Sequence, residues 1–122
     1  MNQKIRSYED LAVYQKAYRL ALEVHKRSLE FPRVEQYGLA SQIRNSTKSI
    51  CGNIAEGFGK QAYSKAEFRR YLNVAIGSAD ESKVWLDFAK DLGYIDDTNF
   101  ADWKGDLTDI AKMLTGLYKS WG

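Results

Sequence analysis

Apolar side chains recur every three or four residues along most of the chain, the spacing that places them on one face of an α-helix. The first run follows a weak capping box made by Ser7 and Asp10, and it ends before Pro32, which disfavours helical geometry at the residue before it. We therefore predict a first helix over residues 7–30. Its predicted apolar face consists of Leu11, Tyr14, Tyr18, Ala21 and Val24.

The second run predicts a helix over residues 35–58, with an apolar stripe of Leu39, Ile43, Ile50 and Ile54. Beside it lies a second stripe of small or hydrogen-bonding side chains at steps of three and four residues. We call this stripe the polar seam, and it consists of Gln42, Ser46, Ser49, Asn53 and Glu56. A narrow polar stripe of this kind favours a contact that sets register, either with another helix or with another copy of the chain. Gly57 and Gly59 are predicted to end the helix.

Two further runs predict helices over residues 64–92 and 97–120. Ser64 and Glu67 form a capping box at the start of the third helix, and Asp96 or Asp97 can cap the fourth. Gly77-Ser78 in the third helix is predicted to mark a close approach between helices. The fourth helix has one apolar stripe, Phe100, Trp103, Leu107, Ile110, Leu114, Leu117 and Trp121.

Four long helices joined by short loops predict an all-α fold, an antiparallel up-down-up-down four-helix bundle. The length of 122 residues fits a single domain over residues 1–122. The aromatic side chains of Phe68, Trp85, Phe100 and Trp103 are predicted to lie in the core, because large apolar side chains prefer protein interiors.

Composition supports a folded chain that does not enter a membrane. Apolar residues make up 44% and charged residues 28%, close to the average for globular proteins. No window approaches the roughly 18 apolar residues of a membrane span, and residues 1–10 contain no apolar signal region. A lone Cys51 cannot form an internal disulfide, which fits a reducing compartment. We therefore expect a cytoplasmic protein.

The residue types needed for common catalytic and metal centres are missing. A bundle di-metal centre needs Glu-x-x-His pairs, whereas the only histidine is His25 and no glutamate lies three residues before it. If the first turn centres near Arg33, His25 and Cys51 are offset by about 15 Å along the bundle and do not form a nucleophile pair. The sequence therefore predicts no catalytic residue, no metal, no cofactor and no small-molecule substrate.

The charge is distributed unevenly, although the formal total is only +2. Residues 1–70 contain 13 basic and 7 acidic side chains, whereas residues 71–122 contain 5 and 9, which gives net charges of +6 and −4. This asymmetry fits an anion-binding face, a contact between copies, or neutralisation inside one chain. The candidates for binding nucleic-acid phosphates are Arg19, Lys26, Arg27, Arg44, Lys48, Arg69 and Arg70.

A dispersed set of residues between Asp10 and Ile95 resembles a known bacterial family. The set is Phe31-Pro32, Glu35, Tyr37-Gly38-Leu39, Gln42, Arg44, Ser49-Ile50, Asn53-Ile54-Ala55-Glu56-Gly57, Gly59, Phe68, Leu72, Ala75, Gly77-Ser78 and Glu81. It resembles the four-helix-bundle family named after proteins encoded in intervening sequences of 23S ribosomal RNA genes. It is also distantly similar to the accessory protein of diversity-generating retroelements.

The resemblance implies a small bundle that assembles as a ring-like homopentamer and has no established enzymatic activity. The more distant similarity implies association with a reverse transcriptase and with nucleic acid. The chain departs from the family pattern at Asn45, where a second basic residue is usual, at Cys51-Gly52 and at Asp80. The missing positive charge at position 45 weakens the implied binding of nucleic acid.

Two interpretations of function remain open. The first is a non-enzymatic homo-oligomeric bundle that associates with RNA or with partners that process nucleic acid. The alternative is a structural protein–protein interaction module, or scaffold, with no nucleic-acid binding. An enzyme would need a polar pocket built between chains, for which Gln42, Asn53 and Glu56 are the only reasonable components.

Overall fold

The computed structural model describes residues 5–120 and contains four α-helices within them. They are α1 (Ala12–Ser28), α2 (Leu39–Lys60), α3 (Lys65–Asp91) and α4 (Asp97–Ser120). Short 3-10 turns at Tyr8–Asp10 and Arg33–Glu35 precede α1 and α2. No strand occurs in the described part of the chain, so the predicted all-α four-helix fold is confirmed.

Each helix packs against the next in the chain, and α4 packs back against α1. Side-chain pairs show that α2 and α3 run antiparallel, because Ser46 bonds Ser82 while Ser49 bonds Ser78. Side-chain pairs show that α3 and α4 are also antiparallel, because Asp87 lies beside Lys104 while Arg69 lies over the ring of Tyr118. One core runs between the helices. Its largest side chains with almost no exposure include Leu20, Ile43, Ile50, Ile54, Phe68, Leu72, Leu86, Leu107, Ile110 and Leu114.

Caps account for the starts of α3 and α4 and for the end of α3. The Ser64 hydroxyl accepts a hydrogen bond from the Glu67 amide at 3.1 Å, and the Asp96 carboxylate accepts one from the Asn99 amide at 2.7 Å. The Ser7 capping box is also formed, but it caps the first 3-10 turn, so α1 begins at Ala12 rather than at residue 7. Gly93 ends α3 with a φ of 81°, a conformation that side chains with a Cβ rarely adopt.

Gly57 does not end α2, contrary to the sequence-based prediction. The helix continues to Lys60, and Gly57 is buried where α2 crosses α3. A Cβ atom at this position would lie 2.7 Å from the Cβ of Tyr71 and 3.1 Å from the Cδ1 of Phe68. The glycine therefore permits a close approach of two helices. Gly77 was predicted to have that role, but it is exposed and a Cβ there would meet no atom within 4 Å.

The buried face of α1 is rotated relative to the prediction. Its core contacts come from Val13, Ala17, Leu20, Ala21, Val24 and Ser28. Tyr14 is only partly buried and Tyr18 is 50% exposed. Trp85 and Phe100 also lie at the edge of the core rather than inside it, whereas Phe68 and Trp103 are buried. Trp121, which was predicted to extend the α4 stripe, lies outside the described residues.

Candidate functional site

The middle of the polar seam bonds to α3 of the same chain. Ser46 and Ser82 are both buried, and their hydroxyls are 2.8 Å apart. The Ser82 hydroxyl also lies 2.8 Å from the Ser78 carbonyl oxygen, and the Ser49 and Ser78 hydroxyls are 2.9 Å apart. These bonds form a short polar ladder between α2 and α3, and a shift of one helix by one turn would break the serine–serine bonds between the two helices.

The remaining seam residues are nearer the surface: Asn53 is partly buried, and Gln42 and Glu56 are exposed. Asn53 donates to the carbonyl and the hydroxyl of Ser49, at 2.8 and 3.0 Å. Gln42 and Glu56 are exposed, and neither side chain has a hydrogen-bond partner within residues 5–120. Asn53 and Glu56 therefore form no shared acid–base site with Gln42 in a single chain. The two exposed ends of the seam remain available to another molecule.

The seven basic candidates do not form one patch. Arg69 and Arg70 lie near the start of α3, whereas Arg44 lies near the start of α2, and antiparallel packing separates these regions by about 20 Å at helical rise. Arg70 pairs with Glu67 at 3.0 Å, and Arg27 pairs with Glu30 at 3.6 Å. The Glu67 carboxylate raises the pKa of Arg70 through this hydrogen bond.

Arg19 also lies in mixed surroundings, in a polar depression between α1 and α4. Its neighbours there are Glu23, Asn99, Asp102, Trp103 and Asp106. Arg69 stacks over the Tyr118 ring at 4.4 Å. Lys26 and Lys48 are exposed and have no carboxylate within 4.0 Å in the described residues. Arg19, Lys26 and Lys48 are therefore the candidates that form no hydrogen bond, ion pair or ring contact within residues 5–120, and of these Arg19 lines the depression that contains Glu23, Asp102 and Asp106.

Arg44 fastens the loop between α1 and α2. Its guanidinium donates to the Ser28 hydroxyl at 2.8 Å, to the Gln36 side-chain oxygen at 3.3 Å and to the Gln36 carbonyl at 2.9 Å. Gln36 in turn donates to the carbonyls of Ser28 and Phe31, both at 3.0 Å. On the far side of the loop, the Tyr94 hydroxyl bonds Glu35 at 2.9 Å. Arg44 therefore has a structural role in the single chain.

A groove of about 370 Å³ opens between α1 and α2. Its walls are Tyr14, Tyr18, Ala21, Leu22 and His25 of α1 and Lys48 and Cys51 of α2. Leu22 is 44% exposed, and Tyr14 stacks against Tyr18 with ring centroids 6.0 Å apart. We call this feature the α1/α2 groove. It is apolar along its length and has a lysine at its rim.

His25 and Cys51 line the same groove, contrary to the predicted offset. The helices pair about a centre near Gln36, as the Ser28–Arg44 bond shows, rather than near Arg33. No hydrogen bond links the two side chains in the described structure. Burial raises the pKa of the Cys51 thiol to about 11, so the thiol stays protonated at neutral pH and is a poor nucleophile.

The groove disfavours positive charge. Burial, followed by the charges of Lys48 and Arg44, lowers the pKa of His25. The buried Nδ1 of this histidine has no hydrogen-bond partner in the described part of the chain. His25 is therefore neutral at pH 7, and the local field of Lys48 and Arg44 favours an anionic group in or beside the groove.

A second exposed apolar surface runs along α3. We call it the α3 stripe, and it consists of Val74, Gly77, Glu81, Trp85, Phe88 and Leu92, at steps of three or four residues. Phe88 is 53% exposed and lies beside Trp85, with ring centroids 6.1 Å apart. The indole of Trp85 donates to Glu81 at 3.1 Å, which holds this carboxylate within the stripe. Val84 adds a further exposed apolar side chain next to it.

The sequence pattern alone did not predict the α1/α2 groove or the α3 stripe. Tyr14 and Tyr18 had been placed in the core, and Leu22, Val84 and Phe88 were not singled out. A detectable signal was present, because α1 and α3 each contain more apolar residues than one buried face requires.

No described helix is long and apolar enough to cross a membrane. Within residues 5–120, no three His, Cys, Asp or Glu side chains are grouped in a way that could hold a metal ion.

Comparisons with known proteins agree with this architecture. Residues 9–116 match the model of the family described as 23S rRNA-intervening sequence protein. The fold is similar to the crystal structure, at 1.70 Å resolution, of a protein with unknown function from the S23 ribosomal protein family of Bacteroides thetaiotaomicron VPI-5482. That chain is 29% identical, with a TM-score of 0.78 over 88% of this chain and 95% of its own. No curated protein shows significant similarity. The chain therefore belongs to the 23S rRNA-intervening sequence protein family.

Proposed function

We propose that this protein is a non-enzymatic homo-oligomeric module whose bundle assembles with identical copies. The observation that carries the proposal is the pair of exposed apolar surfaces, the α1/α2 groove and the α3 stripe. Contiguous apolar surfaces of this kind on a small soluble bundle usually mark contacts with another molecule. The homopentamer implied by the family resemblance is the size we propose.

Glycines on the outer helix faces support the proposal. Gly52 and Gly77 are exposed, and a Cβ atom at either of them would meet nothing within 4 Å. Each glycine costs a helix about 1 kcal/mol relative to alanine. The single chain gives no packing reason for this cost, whereas a neighbouring copy that approaches closely supplies one.

The test is the solution mass by light scattering across protein concentrations from about 1 to 100 µM, because assembly follows mass action. We expect a mass of about 70 kDa, five times the 14.0 kDa of one chain. A mass of 14.0 kDa at every concentration would refute the proposal.

Association with RNA is the second candidate, supported by the exposed and unpaired ammonium groups of Lys26 and Lys48. A ring would repeat these charges several times and convert a weak contact into avidity. Anisotropy with labelled ribosomal RNA fragments, from about 50 to 200 mM salt, tests it. We expect binding that weakens steeply with salt and with Lys26→Glu. If no binding occurs at the lowest salt, the scaffold interpretation without nucleic acid stands.

A further inference from the structure

We infer that the α1/α2 groove of one copy receives the α3 stripe of the next, so that the interface is heterologous and involves two different surfaces. The inference rests on the proposed self-assembly and specifies which faces meet. Its basis is the combination of apolar exposure and opposite charge on these two surfaces.

The two surfaces have complementary shapes. The groove is concave, with Tyr18 and Leu22 exposed on its α1 wall. The α3 stripe is a ridge on a single helix, and Phe88 with Trp85 forms its most prominent apolar part. A helix ridge fits a groove between two helices in the same way that helices pack inside proteins. Joining the two surfaces removes both apolar areas from water at once.

The charges on the two surfaces are opposite. The groove has Lys48 at its rim and Arg44 close enough to depress the pKa of His25. The stripe contains the exposed carboxylate of Glu81. Neither Lys48 nor Glu81 has an oppositely charged side chain within 4.0 Å in residues 5–120. A groove-to-stripe contact can bring these two charges together.

The charges also argue against a symmetric interface. A groove facing a groove would bring the Lys48 ammonium groups of the two copies into one contact, and a stripe facing a stripe would bring the Glu81 carboxylates together. Like charges in a contact are unfavourable, so electrostatics favours the mixed pairing. A contact between two different faces leaves one free face at each end, which continues into a ring when the rotation closes.

Two variants that each disable one face provide the test. Leu22→Asp disrupts the groove and Phe88→Asp disrupts the stripe, and both residues are exposed, so the bundle should fold as judged by circular dichroism. We expect each variant to be a monomer of about 14.0 kDa. An equimolar mixture should form a heterodimer of about 28 kDa, twice that mass, through the one intact groove and the one intact stripe. Both variants introduce a carboxylate, so the two disrupted faces repel each other and cannot pair.

The possible outcomes separate the inference from the proposal on which it rests. If the unmodified chain is an oligomer but the mixture stays monomeric, or if either variant keeps the unmodified mass, the assignment of faces is wrong while assembly stands. If the unmodified chain is a monomer, assembly itself fails. Tyr63→Asp is the matched control, since Tyr63 is 74% exposed but lies outside both faces, and we expect it to keep the unmodified mass.

A charge exchange tests the proposed ion pair separately. Lys48→Glu should weaken assembly, and the double variant Lys48→Glu/Glu81→Lys should recover roughly tenfold or more in affinity over Lys48→Glu alone. Light scattering at several concentrations measures both. No recovery in the double variant would show that these two side chains do not meet.

Discussion

Gly57→Val should lower the free energy of unfolding by about 3 kcal/mol, since overpacking a tight contact costs about 1–3 kcal/mol and valine adds three carbon atoms. The first of these atoms would lie 2.7 Å from the Cβ of Tyr71, which is close to the backbone and cannot swing away. Because the backbone of α2 lies close to Phe68 and Tyr71 of α3 at Gly57, we expect the helices to separate locally. Urea unfolding at one protein concentration gives the change in free energy.

Gly59→Val is the matched control on the same helix. A Cβ at Gly59 meets no atom within 4 Å, so the same substitution should change stability by no more than about 0.5 kcal/mol. Equal losses in the free energy of unfolding for Gly57→Val and Gly59→Val would mean that valine destabilises this helix at any position, whether or not α3 is close. Little loss at Gly57 would mean that the close contact between α2 and α3 is absent in solution.

Arg44→Ala should cost about 2–3 kcal/mol, the usual range for losing hydrogen bonds made by a charged group. The substitution removes three bonds, to the Ser28 hydroxyl and to both oxygens of Gln36. The loop between α1 and α2 then loses its attachment to α2. We expect lower stability in urea, together with faster hydrogen exchange of the amides of residues 33–38.

Arg33→Ala is the control, because Arg33 is an exposed arginine in the same loop with no side-chain bond in the described structure. It should change stability by no more than about 0.5 kcal/mol. A similarly small effect of Arg44→Ala would contradict the structural role. If the large loss is found, weaker RNA binding by an Arg44 variant could not be read as a lost phosphate contact. Lys26, which is exposed and lies outside the α1/α2 groove, is therefore the better position for charge reversal.

The sequence predicted the fold class and the caps at Ser64 and Asp96 well, because both depend on local rules. It misjudged the inward face of α1, since Val13, Ala17, Leu20 and Val24 follow the same spacing as Tyr14 and Tyr18. Periodicity detects an apolar stripe, but it cannot decide which of two stripes meets the core. That choice depends on the neighbouring helices.

The roles of the glycines in α2 were also mispredicted from the sequence. Gly57 and Gly59 suggested the end of a helix because glycine often occupies that position, yet both lie within α2. Only the crossing of α3 shows that Gly57 is needed for a close approach. The α1/α2 groove was also beyond a sequence-based prediction, because its walls come from two helices whose relative rotation the sequence pattern does not fix.

Cys51 offers a direct way to follow the groove in solution, because it is the only cysteine in the chain and forms part of the groove wall. Alkylation requires the thiolate, so its raised pKa makes labelling slow near neutral pH and faster as the pH rises. Any molecule seated in the groove would also block the reagent. The labelling rate of the unmodified protein, followed by mass spectrometry at fixed pH, therefore reports groove occupancy without an introduced probe.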